Sequence, residues 1–243
     1  MIFPIGDDNT DRTMFPVINY LIILLNVFVF VFLQGFGSNI KFTYAYSTVP
    51  AEIVTGKDII TEDRIMEDPE TGERVSMPGL QETPINVYLT MLTSMFMHGG
   101  IAHIFGNMIF LWVFGDNIEN KLGHLRYLIF YLLCGVISSL SQVVSTVMLN
   151  GNPYIPTLGA SGAISGVLGG YILLYPKRRV RVILFNILTV VPAIVALGLW
   201  FAFQVISGLG GLGSQSGGVA YAAHVGGFVA GFVLIKIFAL GRP

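Results

Sequence analysis

Apolar residues run almost without a break from Phe15 to Gln34, and five more apolar runs follow. They are Gly100–Gly115, Leu125–Met148, Gly159–Tyr175, Val180–Ile206 and Gly218–Leu240. A helix rises about 1.5 Å per residue, so roughly 20 apolar residues cross a hydrocarbon core of about 30 Å. The pattern predicts an all-α polytopic membrane protein, a bundle of six transmembrane helices. The second run is short if begun at Gly100, but the preceding "INVYLTMLTSMFMHGG" is also apolar. The Gly99–Gly100 pair predicts a bend there, with the preceding stretch lying along the interface. Between the first two runs sits a hydrophilic insert at about 57–79, expected to be a mobile external loop. Residues 1–14 place Asp7, Asp8 and Asp11 ahead of Arg12 and carry no small-residue cleavage site. The first apolar run is therefore expected to be a retained helix rather than a cleaved signal. No internal repeat or second domain is evident, and residues 15–243 read as one unit.

Composition supports this reading. Of 243 residues, 53% are hydrophobic and 11% charged, and mean hydropathy is +0.73. Soluble domains carry about a quarter charged residues. The net charge of −1 gives no electrostatic basis for binding nucleic acid. The single cysteine, Cys134, lies in an apolar run and cannot build a disulfide framework. Neither a metal nor a cofactor is expected.

Charge orients the spans. Lys177, Arg178, Arg179 and Arg181 precede the fifth run, and Lys121 and Arg126 follow the second. Six spans put all of these on one side, together with Arg12 and Arg242. By the positive-inside rule that side is cytoplasmic, and so is the N-terminus. The loops "NGNPYIPT" and "GLGGLGSQSGG" have no Lys or Arg, as external loops should. The long first loop holds four basic residues against nine acidic ones.

Polar residues inside spans are functional candidates by default. Ser161 lies about 22 Å above the inner end of its run, His224 about 24 Å and His103 about 20 Å, at 1.5 Å per residue. All three fall in one plane, about 8 Å below the outer boundary. Asn107 lies one turn deeper than His103 on the same helix face. A lone Ser in such a place bonds its own backbone, and a lone His or Asn is interhelical glue or a proton relay. Four such groups at one depth suit different chemistry, because a neutral His takes a proton from a Ser hydroxyl and makes it a nucleophile. No Asp or Glu lies in spans three to six, so a Ser–His dyad is what remains. Gly162, Gly166 and Gly170 form a stripe at spacing four, and Gly227 and Gly231 another, which lets two helices approach closely. Pro156 predicts a helix start near Leu158–Ser161, whose unpaired N–H groups would face a developing oxyanion. The glycine-rich "GLGGLGSQSGG" is a candidate lid, and span five, with Pro192, Trp200, Phe201 and Phe203, a candidate lateral gate.

At these residues the chain resembles the rhomboid family of intramembrane serine proteases. "GASG" (Gly159–Gly162) resembles its GxSG motif, "HIFGN" (His103–Asn107) its HxxxN motif and "AHVGGFVAG" (Ala223–Gly231) its AHxxGxxxG motif. The likeness runs from about Asn86 to Leu240. It implies Ser161 as nucleophile, His224 as general base, and His103, Asn107 and the Ser161 N–H as the oxyanion hole. It also implies transmembrane proteins as substrates and a prokaryotic cytoplasmic membrane as the setting. Where some members carry a Tyr whose ring stacks on the base, this chain has Ser165. The alternatives are a catalytically silent relative that binds membrane proteins, which should lack Ser or His, and a small transporter, which should carry charge at several depths.

Overall fold

The computed structural model describes residues 2–67, 74–184, 187–210 and 220–241. In chain order the elements are strand β1 (Ile2–Asp7), helix α1 (Val17–Phe28) continued by a π-helical turn (Val29–Leu33), and short helices α2 (Ile40–Ala45) and α3 (Pro50–Thr55). Strands β2 (Arg64–Glu67) and β3 (Arg74–Met77) and a short helix α4 (Thr90–Thr93) follow. The remainder is α5 (Ile101–Leu122), α6 (His124–Met148), α7 (Ser161–Leu174), β4 (Arg179–Leu184), β5 (Ile187–Pro192), α8 (Ala193–Gly210) and α9 (Tyr221–Phe238). The molecule is mostly helical. Among the described residues, α5, α6 and α9 are long and apolar enough to cross a membrane, and the helical stretches at 17–33, 161–174 and 193–209 are apolar but shorter.

Two expectations need correction. The chain is not all-α: β1, β4 and β5 form an antiparallel sheet, with Asp7 opposite Val180 and Arg179 opposite Pro192. The fifth apolar run is consequently not one helix from Val180. Its first part is the β4–β5 hairpin, and α8 begins only at Ala193. The physical reason is the alternation in "RVRVIL", where Val180 and Val182 are buried and Arg179 and Arg181 exposed. Pro192 ends β5, with no N–H to extend a ladder, instead of kinking a helix. The N–H groups of Ala193 and Ile194 instead find the carbonyls of Arg178 and Pro176 at 2.8 and 2.9 Å. Within the hydrophilic insert, β2 pairs antiparallel with β3. Residues 68–73 of that insert, Gly218 and most of the glycine-rich candidate lid, and Arg242 lie outside the described residues.

The centre of the bundle is α7, buried from Gly162 to Tyr171. Its packing against α9 is backbone on backbone. A Cβ on Gly227 would stand 2.1 Å from the Gly162 carbonyl oxygen, and one on Gly231 1.8 Å from that of Gly166. Gly162 and Gly166 face α6 with the other side of their backbone, where a Cβ would strike Ser138 and Cys134. The stripes predicted from spacing thus do bring α7 against α9, and they admit α6 as well.

A polar network closes one end. The buried Glu119 carboxylate accepts from the N–H groups of Ile18 (2.9 Å) and Asn19 (2.7 Å), capping α1 where its own N–H groups lack partners. Asn19 donates to the Leu111 carbonyl (3.0 Å) and accepts from Tyr127 (2.6 Å). Arg12 pairs with Asp116 at 2.5 Å, Arg178 with Asp11, and Arg126 donates to the Leu240 carbonyl at 2.7 Å. The N-terminal segment, the α5–α6 junction, the 177–181 turn and the end of α9 therefore share one end of the bundle, as the charge pattern predicts. Asp7 reaches into this network and accepts from Tyr171 and, at 2.8 Å, from Asn117. Burial pushes its carboxyl up to about 7, against the pull of those hydrogen bonds and of Arg178.

Two outcomes follow from this packing. Gly231→Val should lower stability by about 1–3 kcal/mol or more, because α9 must move off α7. Gly198→Ala, at a site open to space, should leave melting in detergent unchanged. For Asp7 the folded pKa lies above the unfolded value near 3.8, so its contribution is complete below about pH 4 and is lost as pH rises through about 7. Asp7→Asn should remove this decline, on the order of 2–4 kcal/mol between pH 4 and 8, in melting curves of the two proteins across that range.

Candidate active site

Each candidate residue is positioned by a short-range constraint. The segment entering α7 is held from outside the bundle. Thr48 and Thr157 exchange backbone hydrogen bonds at 2.8 and 3.0 Å, and the Gly159 N–H donates to the Ser94 carbonyl at 2.9 Å. Gly159 has φ +123, a conformation that disfavours a side chain, and a Cβ there would lie 2.9 Å from the His103 ring. The chain then turns into α7 at Ser161, where the sequence predicted a helix start. The Ile164 N–H closes the first turn on the Ala160 carbonyl at 3.0 Å. The N–H groups of Ser161, Gly162 and Ala163 precede it and by helix geometry have no partner within α7.

From α9, His224 presents its imidazole to that helix start. Its Nε2 lies 2.7 Å from Ser161 Oγ. The residue before it is tied to α6 on both backbone groups: the Ala223 carbonyl accepts from Ser138 Oγ at 2.8 Å, and its N–H donates to Gln142 Oε1 at 3.3 Å. The close approach at Gly162–Gly227 and Gly166–Gly231 sets the distance between the two helices. Ser161 and His224 meet because no side chain keeps the backbones apart.

His103 comes from α5, whose entry is clamped by the residue that follows the π-helical turn after α1. The Gln34 side chain accepts from the His98 N–H at 2.9 Å and donates to the His98 carbonyl at 3.0 Å. The His98 ring stands edge-on to His103 with centroids 5.1 Å apart. The Gly99 N–H donates to His103 Nδ1 at 3.4 Å, which leaves the ring's proton on Nε2, the atom beside Gly159. Asn107, one turn on, is buried, and its Nδ2 has no hydrogen-bond partner. A buried amide donor left unpaired costs about 1–3 kcal/mol, so it marks a place where an acceptor belongs.

A cleft runs beside Ser161, lined among others by Ser94, Ser138, Ser139, Gln142 and Thr157. These hydroxyl and amide groups make it suited to water within an otherwise apolar bundle. Among the described residues, no group of three or more His, Cys, Asp or Glu could hold a metal ion. The structure brings Ser161, His224, His103 and Gly159 together; Asn107 lies one turn beyond His103 on α5, and Gly227 and Gly231 lie at the crossing of α9 with Gly162 and Gly166 of α7.

Sequence reasoning missed three polar contributors. Gln204 of α8 is buried and places Oε1 2.8 Å from His224 Nδ1. Ser138 and Gln142 hold Ala223 as described. The available signal was a polar side chain in an apolar helix, and α8 carries only Gln204 and Ser207 of that kind. Ser165 does not approach His224; it donates to the Ser161 carbonyl at 2.6 Å. The aromatic ring nearest in kind to a stacking partner is Trp200, 6.1 Å from His224 and inclined at 36°. Of the other candidate gate residues, Phe201 stacks on Phe228 at 4.3 Å and Phe203 is exposed.

Residues 86–240 match the family model described as the Rhomboid domain. The chain is 37% identical over 139 residues to "Rhomboid protease GluP" of Bacillus subtilis, covering 56% of this chain and 26% of that one. It is 30% identical over 154 residues to "Rhomboid protein 1, mitochondrial" of Saccharomyces cerevisiae, covering 63% and 42%. It is 35% identical over 123 residues to the human "Presenilin-associated rhomboid-like protein, mitochondrial", covering 46% and 32%. The matched stretch therefore spans less than half the length of each of these relatives.

Proposed function

This chain belongs to the rhomboid family of integral membrane proteins, and from that premise we propose that it is an intramembrane serine endopeptidase with a Ser161–His224 dyad. The observation that carries the reading is the 2.7 Å contact between His224 Nε2 and Ser161 Oγ at the open start of α7. The likeness to a relative named as a rhomboid protease supports it.

In this reading His224 takes the proton of the Ser161 hydroxyl as Oγ attacks the scissile carbonyl carbon. The carbonyl oxygen becomes an oxyanion and is met by three donors: the Ser161 N–H, the Nε2–H of His103 and the unpaired Nδ2 of Asn107. The imidazolium then returns its proton to the leaving amine. Water from the hydroxyl-lined cleft, deprotonated by His224, releases the acyl group and restores Ser161. The substrate is a membrane protein whose transmembrane segment unwinds near its outer end, with small residues at the cut to suit a narrow cleft.

Six spans fit this reading: α1 with its π-helical turn, α5, α6, α7, α8 and α9. The end that gathers Arg12, Lys121, Arg126 and Arg178 is taken as cytoplasmic, in a prokaryotic cytoplasmic membrane. The partners are then transmembrane substrates and the bilayer, with no cofactor.

Ser161→Ala and His224→Ala should each abolish cleavage of a transmembrane substrate by purified protein in detergent or liposomes, with melting unchanged. Cleavage at the wild-type rate by either variant returns the chain to the silent-binder or transporter readings. Asn107→Ala should lower kcat by about 10²–10³ at most and change KM less. It should still be labelled slowly at Ser161 by a fluorophosphonate. An unchanged kcat with a lowered melting temperature assigns Asn107 to packing alone.

A further inference from the structure

We propose that Gln204 is a positioning residue for His224, the third member of a Ser161–His224–Gln204 relay supplied by α8. The inference rests on the dyad reading above and extends it.

A dyad poses a problem of orientation. An imidazole serves as base only with its free lone pair on the nitrogen that faces the hydroxyl. The proton must then sit on the other nitrogen, and an acceptor there holds it. In triad enzymes a carboxylate does this. Here spans three to six carry no Asp or Glu. The family's aromatic alternative is absent too, since Ser165 bonds to the Ser161 carbonyl.

Gln204 meets the requirement by geometry. Its Oε1 lies 2.8 Å from His224 Nδ1, while Nε2 of the same ring faces Ser161 Oγ at 2.7 Å. An amide oxygen only accepts. Nδ1 therefore carries the ring proton, and Nε2 is left to accept from the serine hydroxyl. Trp200 lies four residues earlier on the same face of α8 and sets its indole 6.1 Å from the imidazole. One helix face thus supplies both a hydrogen-bond acceptor and a flanking ring. A buried amide in so apolar a helix is costly without a partner, and for Gln204 Oε1 that partner is His224.

A neutral amide suits this position. It fixes the tautomer without adding a charge that would hold His224 as imidazolium. The ionisable group facing His224 is His103 of α5. From α7 the facing group is Ser161, and α8 contains no ionisable residue; on α6 the charged side chains are in its first turn, at His124 and Arg126, and its other titratable groups are Tyr127, Tyr131 and Cys134, all fully buried.

The test compares Gln204→Leu with Gln204→Glu in protein whose cleavage is first shown to need both Ser161 and His224. A failure of the dyad reading is thereby seen before Gln204 is touched. Gln204→Leu keeps the bulk and removes the acceptor. It should lower kcat about 10–100-fold with little change in KM, a smaller loss than the roughly 10⁴-fold caused by removing carboxylate function in a serine triad. Fluorophosphonate labelling of Ser161 should slow in parallel, with the melting temperature held within a few degrees. Gln204→Glu offers an acceptor in the same place and should recover most of kcat. Its carboxylate favours the protonated ring, so the acid limb of the pH–rate profile should move to higher pH by about one unit. A wild-type kcat and pH profile in Gln204→Leu overturns the proposal. So does equal impairment of both variants accompanied by a lowered melting temperature, which is the signature of packing. A Glu variant less active than the Leu variant also overturns it, since the amide would then be acting as a donor.

Discussion

The contact on which the rest depends is the side-chain-free crossing of α7 and α9. The carbonyl oxygens of Gly162 and Gly166 stand where the Cβ atoms of Gly227 and Gly231 would be. Within a bilayer there is no hydrophobic drive to press helices together, so dispersion and close backbone approach must do it. That approach fixes two rigid elements at a separation at which a serine on one reaches a histidine on the other. Both residues sit near the starts of their helices, so a slight separation of the backbones would open their contact.

Around this crossing the structure uses polar side chains as fixed spacers. Ser138 and Gln142 hold Ala223, Gln34 holds the backbone of His98, and Glu119 caps α1. Each satisfies backbone or amide groups that would be expensive to bury unpaired. Asn107 stands out against this thrift, with Nδ2 left free beside His103. It shares that state with a few other buried groups, among them the His98 ring nitrogens and the Tyr131 hydroxyl, but on α5 it stands one turn from His103, where a donor for an anionic oxygen would serve.

The two ends of the bundle are built differently. One is closed by ion pairs and by Asp7, which reaches Tyr171 and Asn117 from the strand that also completes the β1–β4–β5 sheet. The other carries the α7 start, the Thr48–Thr157 pairing and the entry to α5. Charge gathers at the first and the candidate chemistry at the second, so the protonation of Asp7 is remote from Ser161 and His224.

The amino-acid sequence by itself determined the membrane class and the positions of most helices, and it singled out the principal residues of the candidate site. Long apolar runs and their few polar interruptions survive translation into one dimension, because a span's length and depth are linear quantities. GASG, HIFGN and AHVGGFVAG were legible for the same reason, since each keeps its members on one helix or one turn. The β4–β5 hairpin was hidden, although "RVRVIL" alternates, because the run was also long and apolar enough to read as a span. Only the tertiary structure decided that Gln204 meets His224 Nδ1, that Trp200 takes the place beside the imidazole, and that Asp7 is buried under Tyr171. Those contacts join residues 20 to 164 positions apart. They depend on the rotation of one helix or strand against another, which side-chain packing sets and no local pattern records.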